Sequence, residues 1–270
     1  MLSGKSQIKK SKMTSTVKDR IDEIKKNGYQ LNFENVLNHA FENYKKIALY
    51  AGLVLFVFSI LFGIVASIII ASLFDVNTFD ENFIESLNPE NLSGYNLLIY
   101  FVSSLLFTCL LHPFTSGFLK MADCGEKDEA FHVSTIFSYY KSPYFKEIFL
   151  STFLITLLGS GTARVLQQFN FEITGVLFLY TVSFFTYMTI PLIVFGNLKA
   201  IDAIKASIII VSKQPLLLLG LIIVAIIGTL VGFIGCCIGV FFTIPFLYSM
   251  NYAIYHSIIG IDYEDESEEV

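Results

Sequence analysis

Residues 215–260 read PLLLLGLIIVAIIGTLVGFIGCCIGVFFTIPFLYSMNYAIYHSIIG, 46 consecutive positions without Lys, Arg, Asp or Glu. A bilayer core about 30 Å thick is crossed by about 20 apolar residues in a helix. The run therefore holds two crossings, with a tight turn near Gly232–Cys237. It does not alternate apolar with polar residues, and a barrel strand needs only about 9–11 of them. In lipid every backbone N–H and C=O must find its partner within the protein, so uncharged runs of this length become helices.

Working outward, the same criterion finds four earlier spans, at about 47–74, 95–121, 148–167 and 171–196, besides 215–232 and 237–258 from the long run. The third is the weakest, because its second half, GSGTARVLQQ at 159–168, is polar and carries Arg164. The fold class is all-α: a polytopic transmembrane helix bundle of about six spans. Composition agrees, with 54% hydrophobic and only 15% charged residues, against about 25% charged in soluble domains. The first apolar run starts near Ile47 and is too long and too late for a signal peptide, whose apolar region is about 7–15 residues near the start. It is expected to remain as an anchor.

Basic residues orient the bundle. Ten of the 18 Lys and Arg lie in residues 1–46, four in 120–147 and three in 197–214, leaving Arg164 alone elsewhere. The loop 75–94 has five acids and no base. The positive-inside rule then places both termini in the cytoplasm. Three units follow: a basic, partly disordered N-terminal segment (1–30), a membrane domain (31–260) and an acidic tail (261–270). Acids are mixed into the basic end and the tail is acidic, so no nucleic-acid partner is expected. Membrane lipid is the expected partner, with other membrane proteins or a second copy as alternatives.

Amphipathic segments precede the odd-numbered spans on the cytoplasmic side. Phe33, Val36, Leu37, Ala40, Phe41 and Tyr44 form one stripe, Phe131, Ile136, Phe137 and Tyr140 a second, and Ile201, Ile204, Ile208 and Val211 a third. Such helices lie in the headgroup plane or pack on the protein itself. The even spans each carry a proline, Pro113, Pro191 and Pro245, and each is expected to kink its helix. Together these features suggest a threefold helix–span–span repeat.

The entry helix F-x-x-V-L-x-x-A-F-x-x-Y-K-K, the F-S-Y-Y-K-S segment before the third span, I-P-L-I-V-F-G-N, A-I-K-A-S and the hairpin ending P-F-L-Y-S-M-N-Y-A-I-Y carry a resemblance. Over residues 31–258 the chain resembles uncharacterised bacterial six-helix membrane proteins of the YciC type. It is also similar to the membrane domain beside some glycerophosphodiester phosphodiesterases. The resemblance implies a multi-pass protein of the bacterial inner membrane with no established activity. No stretch of these 270 residues is expected to form the soluble phosphodiesterase barrel, so its chemistry does not carry over.

No catalytic, metal or cofactor motif stands out, and no cofactor is expected. The candidates are sparse. His112 and His256 lie toward the cytoplasmic ends of the second and sixth spans and are placed to approach each other. Gly228, Gly232, Gly235 and Gly239 include two GxxxG spacings, which suit a turn, close packing of the last hairpin or self-association. Arg164 with Gln167, Gln168 and Glu172 forms the polar cluster near the outer face. It is either a snorkelling arginine or a contact for a solute or lipid headgroup. The four Cys (Cys109, Cys124, Cys236 and Cys237) read as small apolar fillers. The chain is expected to be a non-enzymatic membrane protein interacting with lipid or membrane proteins. The alternatives are a small transporter or permease subunit and, behind it, a membrane-embedded enzyme.

Overall fold

The computed structural model describes residues 16–73, 92, 94–141, 143–235 and 238–260. The basic residues 1–15, most of the acid-rich loop, Cys236, Cys237 and the acidic tail lie outside the described residues. Within the described residues all regular structure is helical. Helix α1 covers residues 16–27, α2 Phe33–Leu73, α3 Gly94–Glu126 and α4 Val133–Ile136. The next stretch is α5 (Tyr144–Thr156), a π turn (Leu157–Gly161) and α6 (Thr162–Gln168). Then come α7 (Glu172–Phe185), α8 (Thr189–Val194), α9 (Ala200–Lys213) and α10 (Pro215–Leu230). The chain closes with α11 (Gly239–Thr243) and α12 (Pro245–Ile259).

Five stretches among the described residues are long and apolar enough to cross a membrane: Phe33–Ile68, Gly94–Glu126, Tyr144–Gln168, Glu172–Val194 and Pro215–Gly235. The protein is a multi-pass helical membrane protein. The third stretch runs 25 residues, about 37 Å at 1.5 Å per residue, enough to cross. The sixth expected span, 237–258, is divided at Ile244 into α11 and α12. Pro245 has no N–H to continue the ladder and instead opens α12.

The entry helix and the first span, read separately from sequence, are one rod of 41 residues, about 61 Å long. No Gly or Pro falls between Gly28 and Gly52 to interrupt it. Phe33 and Phe41 of the stripe are 38% and 50% exposed, while Val36 and Ala40 are buried. The apolar stripe is thus wider than the protein surface it covers.

The core occupies the lysine-rich half of the bundle. On α3 the buried positions before Pro113 are Leu105 and Cys109, whereas from Pro113 to Gly125 nearly every residue is enclosed. One cluster joins Val17, Ile21 and Ile24 of α1 to Val36 and Ile47 of α2, Leu192 of α8, Ile210 of α9 and Met250 of α12. Residues 16–30 therefore belong to this core. Arg20 Nε donates to Ile258 O at 3.3 Å, and Tyr29 OH donates to Ile210 O at 3.1 Å. Burial pushes the Tyr29 phenol ionisation up.

The connection after α3 folds back along that helix. Ile136 backbone sits on Gly117, where a Cβ would lie 2.6 Å from the Ile136 carbonyl carbon. Gly117 is nine residues short of Glu126, about 13 Å along the axis. Phe137 then packs against Phe58 and Phe114, with ring centroids at 5.7 and 5.9 Å. Tyr140 OH donates to Leu110 O at 2.9 Å, beside the turn that Pro113 loosens. Pro113 stays inside a continuous helix, while Pro191 lies in the short α8 that resumes after a turn at residues 186–188.

Candidate ligand site

Away from the packed core the helices separate and leave a lateral groove of about 1460 Å³. Its walls come from the first two turns of α3, the α5–α6 stretch, the end of α7 and the outer face of α9. Leu97, Leu98, Leu154, Leu158, Val165 and Ile208 make it aliphatic. Polar groups gather at its ends, Arg164 and Gln168 on α6 and Lys205 on α9.

Helix α9 forms one wall because both of its faces are apolar. Ala203, Ala206, Ser207 and Ile210 are buried. The small side chains let α9 approach the α7–α8 turn, where Ser207 Oγ donates to Phe185 O at 2.8 Å and accepts from Met188 N at 3.0 Å. The stripe read from sequence is split by this packing. Ile201 and Ile208 stay exposed at 52% and 42%, and with Ile204 they line the groove, while Val211 is buried.

The two cationic ends lie at different depths. Ala200 N donates to Glu147 Oε2 at 2.8 Å, which ties the start of α9 to the start of α5. Arg164 is seventeen residues beyond Glu147, about 25 Å along the helix, and Lys205 five beyond Ala200, about 7 Å.

Behind Arg164 lies a second, polar pocket of about 490 Å³. Ser104 and Thr108 of α3, Thr156 of α5, Ser160 of the π turn, Arg164 and Gln167 of α6 and Glu172 of α7 all line it. Arg164 and Phe101 line both spaces. Ser104 Oγ donates to Phe101 O at 2.9 Å and Thr108 Oγ1 to Ser104 O at 2.8 Å. Their donors are spent on their own helix, and their lone pairs remain for a ligand. The π turn at Leu157–Gly161 passes the pocket wall, and π turns inside α-helices are frequent at functional sites. Arg164 Nη1 donates to Gln167 Oε1 at 2.9 Å. Arg164 and Glu172 line the same pocket without forming an ion pair.

His112 and His256 are not brought together. His256 has its ring 5.3 Å from that of His39 and 6.0 Å from Tyr252. Tyr252 OH in turn reaches Asp123 Oδ1 at 3.4 Å. His112 lies eleven residues before Asp123, about 16 Å away along α3. Its carbonyl accepts from Thr115 Oγ1 at 2.9 Å and Ser116 Oγ at 2.7 Å.

His256 instead borders a polar network that sequence reasoning missed. Asp123, 2% exposed, is held by Lys120 Nζ at 2.6 Å and Lys127 Nζ at 3.0 Å. Asn43 Nδ2 donates to Ala122 O at 2.8 Å and Glu126 Oε2 at 3.2 Å, and Ser249 Oγ donates to Asn43 Oδ1 at 2.9 Å. His39 Nε2 lies 3.1 Å from Glu126 Oε2. The spacing of Lys120, Asp123 and Lys127 at i+3 and i+4 is a signal in the sequence that went unread. Among the described residues no three His, Cys, Asp or Glu side chains group to hold a metal ion.

The glycines separate into distinct roles. Gly232 and Gly239 oppose each other across the last hairpin, a Cβ at Gly228 would meet Phe246 Cδ1 at 2.8 Å, and Gly235 faces open space. Scanned against family models, curated proteins and solved structures, the chain finds no match, so its groove and pocket carry the functional argument alone.

Proposed function

We propose that this protein is a non-enzymatic inner-membrane protein that holds a membrane lipid in its lateral groove, with both termini in the cytoplasm. The observation that carries the reading is the juxtaposition of an aliphatic groove of about 1460 Å³ with a polar pocket, both bounded by Arg164. Amphiphiles need this division, an apolar wall for chains and a few convergent polar groups for the head. The lysine distribution supports the orientation. Native mass spectrometry of the protein released from mild detergent tests it. Retained lipid that is lost when Leu98 and Leu158 are replaced by Asp supports the reading, and a lipid-free protein overturns it.

The polar pocket favours a second reading, a small transporter. Transport sites lie near the bilayer midplane among interrupted helices, and this pocket reaches inward from Arg164 to Thr156, eight residues along an interrupted helix, about 12 Å. Solute-driven flux in proteoliposomes distinguishes it from lipid retention.

A further inference from the structure

Arg164 and Glu172 set a charge pattern that a lipid headgroup can match. They line one polar pocket, carry opposite charges and are not paired with each other. Arg164 bonds the neutral Gln167 amide, and no carboxylate among the described residues forms an ion pair with it. Glu172 is exposed in the first turn of α7, where the helix N-terminus already favours a negative charge. A pocket for a purely anionic head has no use for a carboxylate at its wall, since like charges repel and the contact counts against such a ligand. A pocket for a cationic head has no use for Arg164.

We infer that the occupant is a zwitterionic phospholipid, its phosphate against Arg164, its ammonium against Glu172 and one acyl chain in the aliphatic groove. The guanidinium fork suits two phosphate oxygens at once. The hydroxyl lone pairs of Ser104 and Thr108, whose protons go to their own helix, accept from an ammonium N–H. The chain then passes Leu98 and Leu158 toward α9. The inference rests on the lipid reading above and adds the headgroup.

The test uses the full chain in nanodiscs of equal phosphatidylethanolamine and phosphatidylglycerol, released into the gas phase to weigh the retained lipid. The unmodified protein is expected to enrich the ethanolamine lipid about tenfold or more, the lower end of what one charge-assisted hydrogen bond supplies. Arg164→Gln is expected to lose retention of both lipids. Glu172→Gln, at an exposed site, is expected to turn the preference toward phosphatidylglycerol. Enrichment of phosphatidylglycerol by the unmodified protein, or an unchanged preference in Glu172→Gln, overturns the inference. Binding of glycerophosphoethanolamine as tight as that of the intact lipid also overturns it, because the groove would contribute nothing. Retained lipid with no headgroup preference overturns this inference and leaves the lipid reading standing, whereas a protein free of lipid overturns both.

Discussion

Gly232 and Gly239 meet backbone to backbone, so that a Cβ added to Gly239 would lie 3.3 Å from the Gly232 carbonyl carbon and closer still to its oxygen. A Cβ on Gly232 would fall 2.6 Å from Val240 Cα. Thr243 Oγ1 fastens the same crossing by donating to Thr229 O at 2.7 Å. Gly232→Ala is therefore expected to destabilise the protein by about 1–3 kcal/mol through overpacking. Gly235→Ala, with open space around it, is expected to stay within about 0.5 kcal/mol of the parent. Thermal unfolding in one detergent compares the two. Equal shifts would show that the hairpin opens easily.

Asp123 is nearly inaccessible, yet its two lysines are about a third exposed, at 33% and 27%. Asp123→Asn leaves both ammonium groups beside a neutral amide, from which they can turn outward. The expected cost is about 1–3 kcal/mol, less than for a fully enclosed pair. Lys120→Met keeps the Lys127 contact and is expected to cost under about 1 kcal/mol. If the lysine variant proves the more damaging in the same unfolding assay, the carboxylate is not the centre of this network.

Tyr140 reaches past Pro113 to the carbonyl of Leu110. Proline at 113 removes the ladder bond to Cys109 O, the carbonyl next to that of Leu110, and its ring pushes that turn open, which leaves room for an outside donor. Tyr140→Phe is expected to cost about 1 kcal/mol. In a Pro113→Ala background, where the helix closes on itself, the same change is expected to cost less, with a coupling energy of about 0.5 kcal/mol or more. A double-mutant cycle with strict additivity would disprove the link between the proline and the tyrosine.

Phe33 and Phe41 extend the apolar stripe of α2 beyond the protein surface that it covers. Spin labels at both positions are expected to be relaxed by oxygen and by lipid-borne nitroxide quenchers more than by a water-soluble nickel chelate. The reverse order would place this end of α2 in water.

The spans were legible because lipid and water differ so sharply as solvents for an uncharged run, and no tertiary detail alters that. Arg164, Gln167 and Glu172 were legible as one cluster for the same reason, being polar where little else is. Their pocket partners Ser104 and Thr108 were not, since hydroxyls that bond their own helix pass unnoticed in an apolar span. Ser249 and Asn43 bond across 206 positions, and helical periodicity says which face a residue occupies but not which helix meets it. On α9 the large isoleucines drew attention to the lipid-facing stripe. The tighter face belonged to Ala203, Ala206 and Ser207, because close approach of two helices rewards small volume over hydropathy.

The docking of α1 under the far end of the chain bears on biosynthesis. Arg20 is fastened to Ile258, 238 positions later. While the ribosome is still translating the middle of the polypeptide, Val17, Ile21 and Ile24 lack the part of their cover that α8, α9 and α12 supply, and the nascent helix is expected to shelter on the membrane surface or on a chaperone. The final helix completes that cover, and chains stalled before it are expected to be recognised by quality-control proteases through the partly uncovered N-terminal helix.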